Sequence, residues 1–402
     1  MDTLLLKTGK LIVGDGRLEE DTEVLVKDGR IAEVGEDLKR PSRCETFDFS
    51  NRVVMPGIVD AHLHVCYDGV TLDPAAVRAL DDEFMAIRGA RLVEGLLDFG
   101  ITTVADAGAR GKVSFAVKQA AEGGVIRGPR VLVSGRMITI TGGRDPGSGA
   151  LEADGVDAVK RAVREEIARG VDFIKLAGTG AISSEHTESM TTQFDEDELR
   201  AATEEAHKVD RPTHSHAYGD AGIRNTIMAG VDVLVHGHPL NDENLKLMKK
   251  MGTIYMPTIV TFYESVLHHD EGKLPEHMVR KEKEVFPLIK RGVENAVKAG
   301  VEIAVGTDTG LPYTLYGNAA AEEMELLVNF GGMSEMDAIV AGTRNAARSL
   351  NAESSIGTVE VGRSADIVVL QPDVDPLEDI TVLKQQDSFD QVFLKGLQVH
   401  NR

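Results

Sequence analysis

The sequence predicts an α/β fold: a closed parallel (β/α)8 barrel of the TIM type, with a small β-sandwich built from both chain ends. Three observations carry this. The middle of the chain alternates short Val/Ile/Leu-rich runs with amphipathic stretches, while both ends carry strand-like runs alone. The alternation repeats eight times, the number a closed parallel barrel requires. An open doubly wound sheet would carry a glycine-rich phosphate turn after its first strand, and GIVDAHLHV has none.

Taken in order, LLLKTGKLIVGDG and TEVLVKDGRIAEVG are short apolar runs broken by Gly and Asp. Asp28-Gly29 lies between VLVK and RIAEV, where two central residues of left-handed conformation would close a hairpin. The central strands are expected at IVDAHL, TTVADAG, RVLVSG, FIKLAG, PTHSHA, VLVHG, TIYMPT and EIAVGTD. Amphipathic stretches such as VDAVKRAVREEIARG and EDELRAATEEAHKV lie between them. Gly170 and Gly300 are helix stops ahead of the next strand. ADIVVLQPD and QVFLKGLQVH return to strand character. The expected division is residues 1–55 and 358–402 for the sandwich and 56–357 for the barrel.

The 402 residues include 42% hydrophobic types, enough for a large core and against a disordered or fibrous class. A formal charge of −21, from 44 basic and 65 acidic residues, excludes nucleic acid and anionic membrane as main partners. A small-molecule substrate and a homo-oligomeric state are expected. Cys44 and Cys66 are the only cysteines, too few for a disulfide framework, so a reducing cytoplasm fits. Cys66 follows His64 closely, and its expected place is the core. The start, MDTLLLKTGK, is too short an apolar stretch for a signal peptide, and no run is long enough to span a bilayer.

In a parallel barrel, functional side chains gather at the C-terminal strand ends. The unusual polar residues lie there: His62 and His64 on the first central strand, Lys175 on the fourth, His214 and His216 on the fifth, His236 and His238 at the sixth, and Asp308 on the eighth. Residues two apart on a strand point the same way, so His62 and His64 can chelate one ion together. Lys175 is a cation among cation-binding histidines. Burial and neighbouring positive charge lower a lysine's pKa. A neutral amine can take up carbon dioxide as a carbamate, an anionic two-oxygen ligand. The alternative is a lysine paired to a strand-end carboxylate such as Asp106.

PGIVDAHLHV, FIKLAGTGAISS, HAYGDAGI, VHG and GTDTG, in this order, resemble the amidohydrolase superfamily and its prolidase-like branch, with imidazolonepropionase as a more distant relative. The resemblance runs over nearly the whole chain. It implies a binuclear centre of two divalent metal ions, with zinc the default. His62, His64 and Asp308 would hold one ion, His216 and His236 the other, and carboxylated Lys175 would bridge them. His214 and His238 would then support the site from outside it. The two metals would share a water, lower its pKa and polarise the scissile carbonyl, and Asp308 would pass the water's proton to the leaving amine.

The branch cleaves dipeptides or acyl–amino acid bonds next to a free carboxylate, with lactam or lactone hydrolysis the alternative. The resemblance places the carboxylate-binding Tyr and Arg at Tyr218 and Arg224. Many relatives carry His where TGGRDPGSG has Arg144, so Arg144 is a further candidate anion contact. The polar run FYESVLHHDEGKLPEHMVRKEKEVF is expected to form a lid, with His268, His269 and His277 at the surface.

Overall fold

The computed structural model describes residues 3–144 and 147–401; Asp145 and Pro146 of the TGGRDPGSG stretch lie outside it. Five strands open the chain: β1 (Thr3–Ile12), β2 (Leu18–Glu20), β3 (Glu23–Lys27), β4 (Arg30–Gly35) and β5 (Cys44–Pro56). The central strands are β6 (Ile58–Leu63), β7 (Ile101–Asp106), β8 (Arg130–Val133), β9 (Ile138–Thr139), β10 (Leu151–Glu152), β11 (Ile174–Ala177), β12 (Thr213–Tyr218), β13 (Val233–His238) and β14 (Ile254–Met256). Three more close the chain: β15 (Ile367–Leu370), β16 (Phe389–Leu394) and β17 (Leu397–Asn401).

The two ends join in one sheet, ordered β17-β16-β15-β5-β1-β3-β4, with β2 on β1. A small sandwich built from both ends was expected; the ends do meet, where β15 pairs antiparallel with β5 edge to edge. Register shifts within the β1–β5 and β15–β16 pairings bend the strands. Leu4, Leu6, Val24 and Val26 thereby share one core with Ile367, Val369 and Phe393. The Asp28-Gly29 hairpin forms as read, with φ of 52° and 76° at its two central residues.

The central strands form two parallel sheets, β6-β7-β8 and β10-β9-β11-β12-β13-β14. β6, β7, β11, β12 and β13 are buried at every position, as parallel strands covered on both faces must be. EIAVGTD is not a regular strand. It lies between β14 and β6, where the Ala304 N–H donates to Tyr255 O (2.9 Å) and the Ala61 N–H to Val305 O (3.2 Å). It then turns, and the amides of Thr307 and Asp308 both donate to His62 O, at 3.0 and 2.8 Å. At the other side the Asp172 N–H donates to Val133 O (2.8 Å). The helices Val156–Arg169 and Glu276–Ala299 end at Gly170 and Gly300 in left-handed conformation, as the sequence indicates. No helix among the described residues is long and apolar enough to cross a membrane.

Candidate active site

The period of two along β6 aims His62 and His64 at one point. Each Nε2 lies 3.0 Å from Asp308 Oδ1. The three residues, all buried, are a group able to hold a metal ion, with ligand atoms within 4.8 Å of one another. Asp308 owes its position to the turn after EIAVG. Asp60 Oδ1 accepts the backbone N–H of both His62 (3.2 Å) and Thr307 (3.1 Å), and Oδ2 accepts the Thr307 hydroxyl (2.7 Å). Burial raises the Asp60 carboxyl to about 7 despite these bonds. Burial also acts to raise Asp308, but His62, His64 and His236 hold it well below the usual carboxylate range.

His236, Thr258 and Asp308 all take positive φ, of 65°, 50° and 60°. Left-handed backbone at non-glycine residues is unfavourable, and these three instances fall on neighbours within this cluster. The Thr258 hydroxyl donates to Pro257 O at 2.7 Å, so it accepts from His236 Nδ1–H, also at 2.7 Å. That leaves the His236 Nε2 lone pair facing Asp308 Oδ2, 3.9 Å away.

His216 differs. Its Nε2–H donates to Gly180 O (2.9 Å), so Nδ1 carries the lone pair, and Arg144 Nη1 donates to it at 3.2 Å. His214 donates from Nε2 to Ser349 O (2.8 Å). His238 donates from Nε2 to Pro257 O (3.2 Å) and accepts the Tyr255 hydroxyl on Nδ1 (3.2 Å). Both bond away from the Asp308 cluster.

Lys175 is fully buried, and no described residue accepts from its Nζ. Burial first, then the nearby Arg144 charge, push its pKa well below the usual lysine value. The alternative pairing with Asp106 does not form; Asp106 Oδ1 instead accepts the Val65 N–H at 2.9 Å. Cys66 is buried beside this cluster, and burial pushes its thiol up to about 12.

Tyr218 stacks on the His236 ring, centroids 5.1 Å apart and planes 5° from parallel. Arg224 is not brought to the cluster. It sits on the helix Gly219–Met228, whose buried face is Gly222, Ile223, Thr226 and Ile227, so it points outward and bonds Glu243 at 2.7 Å. The phase of this helix turns position 224 to solvent.

Two adjoining chambers open over the cluster. One, of about 460 Å³, is lined by His216, Tyr218, His236 and Asp308, with Phe262 and Glu282 opposite. The other, of about 940 Å³, is mainly apolar, with Val77, Met85 and Met137 beside His64. Arg144, Ser183, Met278, Leu311 and Pro312 line both. The expected lid segment forms the helix Ile259–Leu267 and the start of Glu276–Ala299, and Phe262, Ser265, Met278 and Glu282 face the smaller chamber. His269 departs from its expected surface position: its Nε2 bonds buried Glu282 at 2.6 Å. His268 stacks on Tyr313, and His277 donates to Ser183 O at 3.2 Å. Sequence reasoning missed Asp60, Thr258 and Glu282. The signal for Glu282 was available: it falls on the stripe Met278, Glu282, Val285, Ile289 that the helix buries, where a carboxylate is out of place.

A family model described as "Amidohydrolase family" matches residues 53–399. An ochratoxinase of Aspergillus niger is 30% identical over an alignment covering 98% of this chain and 85% of that protein. Among solved structures, a prolidase complexed with N-methylphosphonate-L-proline superposes with a TM-score of 0.90 at 29% identity, covering 100% of both chains. A Xaa-Pro dipeptidase with bound methionine in its active site gives 0.87 at 28%, covering 99% of both.

Proposed function

The chain belongs to the amidohydrolase family and is a hydrolase of amide bonds, and from that premise we propose that it cleaves an amide next to a free carboxylate, in a dipeptide or an N-acyl amino acid. The names of the prolidase and dipeptidase neighbours favour this substrate class.

The observation that carries the reading is a set of buried nitrogens without partners among the described residues. Nδ1 and Nε2 of His62, Nδ1 of His64, Nε2 of His236 and Nζ of Lys175 all lack a hydrogen bond. His62 Nε2 approaches Asp308 closely yet without hydrogen-bond alignment. Buried polar atoms are generally almost always satisfied, and this donor set of imidazoles, a carboxylate and a buried amine suits divalent metal. His62, His64 and Asp308 would hold one ion, His216 and His236 a second, with carboxylated Lys175 between them. For His216 to serve, Arg144 must release its Nδ1. Zinc is the default metal. Bound metals would supply Lewis acidity, lowering the pKa of water and polarising the amide carbonyl.

The chain's own residues do the rest. Asp308 accepts the proton of the attacking water and delivers it to the leaving nitrogen. Arg144 lies beside His216 and suits a carboxylate through its planar fork. Burial keeps the Tyr218 phenol well above its usual pKa, hence a neutral donor over the same chamber. The central strands are read as the (β/α)8 barrel, residues 56–357, with the run from Ile303 to Thr309 as its eighth member. The sheet of residues 1–55 and 358–402 is read as a second domain. Two buried free cysteines suit a reducing cytoplasm.

The test is a screen of metal-loaded protein against dipeptides and N-acyl amino acids varied at the C-terminal residue, each paired with its C-terminal amide. Cleavage of acids over amides is expected. Equal cleavage of both, or of neither, would overturn the reading.

A further inference from the structure

We propose that Glu282 binds the free α-ammonium group of the substrate, so that the site prefers dipeptides with an open N-terminus to N-acyl amino acids. This rests on the hydrolysis proposed above and narrows its substrate class.

Glu282 is 4% exposed and lines the smaller chamber together with Tyr218, His236, Asp308 and Arg144. Ser265 Oγ and His269 Nε2 both bond to Glu282 Oε2, at 2.8 and 2.6 Å. No described residue donates to Oε1. The carboxylate is therefore held in place by one oxygen while the other keeps its bonding capacity. Lys281, its neighbour in sequence, is directed elsewhere: its Nζ donates to the carbonyls of Ala181 (3.1 Å), Ser184 (2.5 Å) and Thr187 (2.5 Å). Asp308 is enclosed by the histidines. Among the described residues that line this chamber, Arg144 and Glu282 are the charged side chains outside the Asp308 cluster, and their signs are opposite.

That pattern complements a zwitterion with its amide between the charges. The second oxygen, Oε1, is costly to leave without a donor once a substrate closes over it, so a substrate bringing an ammonium is favoured and an uncharged acyl group is disfavoured. A site built to bond a polar group rejects the analogue that lacks it more strongly than an apolar pocket rejects a missing methylene. A role confined to packing the two lid helices is the competing account, since Ser265 and His269 belong to the preceding segment and Glu282 to the following helix.

The deciding pair of substrates is alanyl-X and propionyl-X, with X the best C-terminal residue from the screen; they differ only in the α-amino group. Metal-loaded wild type should favour alanyl-X in kcat/KM by about ten- to a hundredfold, the range of one charge-assisted hydrogen bond. Glu282→Gln should lose about that factor on alanyl-X, change propionyl-X by less than about threefold, and keep its melting temperature. Equal losses on both substrates, with wild type active, would overturn the ammonium role and leave the hydrolase reading standing. If the variant does not fold, the wild-type ratio decides: no preference for alanyl-X overturns the role. A wild type that cleaves neither compound overturns the hydrolysis itself and the role with it.

Discussion

Lys175 and Arg144 are the two cations whose neighbourhood decides the chemistry. Lys175 lies within β11, fully buried near the Arg144 charge and with no described residue accepting from its Nζ, the state that favours a neutral amine open to carbon dioxide. Lys175→Ala should therefore lose bound metal and turnover together, and short carboxylic acids in solution should restore part of both. Metal analysis and activity measured side by side check this; a variant that keeps its metal and turns over unaided would sink the bridging role. Arg144 and Arg224 are separated by a second comparison. Arg144 lies in the chamber and Arg224 on the surface with Glu243. Arg144→Met should cost about ten- to a hundredfold in kcat/KM on acid substrates, and far less on the same substrates amidated. Arg224→Met should stay within about threefold on both. An acid-selective loss at Arg224 would restore the role the resemblance implied for it.

Among the elements, the junction of β6 with the turn at Thr307–Thr309 sets the geometry of His62, His64 and Asp308. Gly306 has no room for a side chain: a Cβ there would lie 2.5 Å from Met256 Sδ and 2.6 Å from His62 Cβ. Gly306→Ala should cost about 1–3 kcal/mol of stability through overpacking. It should also weaken metal retention, because the neighbour that must move is His62, a proposed ligand; urea unfolding and metal content read the two effects. At the opposite strand ends, Asp232 Oδ2 accepts the Thr213 N–H (2.7 Å) and hydroxyl (2.8 Å) and bonds His207 Nε2 (2.7 Å), tying the start of β12 to β13. Burial opposes ionisation of Asp232, but His207 and Thr213 win and its pKa is lowered. The Asp232 bond raises that of His207. A lowered carboxyl stabilises fully above its unfolded value, about 4, and loses that contribution as pH falls through the folded one. A raised histidine stabilises below about 6.5 and loses its contribution as pH rises through the folded value. Asp232→Asn should hence cost about 1–2 kcal/mol, discounted for partial exposure, with the largest gap between about pH 4 and 6.5. A gap independent of pH would assign the effect to packing.

For the whole molecule, the proposed ligands come from residues 62 to 308 and so from segments far apart in the chain. A metal that binds only the assembled site stabilises all of them at once, by about 4 kcal/mol at a thousandfold excess over its Kd. Chelation should lower the melting temperature, and readdition of the ion should restore it. An unchanged calorimetric melt after complete metal removal would show that the cluster does not hold metal. The sheet of the two ends adds a second long-range tie: Arg130 of β8 bonds Asp366 ahead of β15 at 2.5 Å, linking that sheet to the central strands.

The sequence alone determined what short-range periodicity can carry. The strand and helix alternation, the Asp28-Gly29 turn, the shared direction of His62 and His64, and the anomaly of Lys175 in an apolar strand all follow from backbone geometry within a few residues. What only the tertiary structure decided depends on packing between distant segments. It turned Arg224 outward, set Arg144 against His216 across 72 residues, held His269 on Glu282, and joined the two chain ends in one sheet. A helix or strand pattern states which face is apolar; which distant polar group a side chain meets is settled only when the faces pack, because that contact has no local period to read.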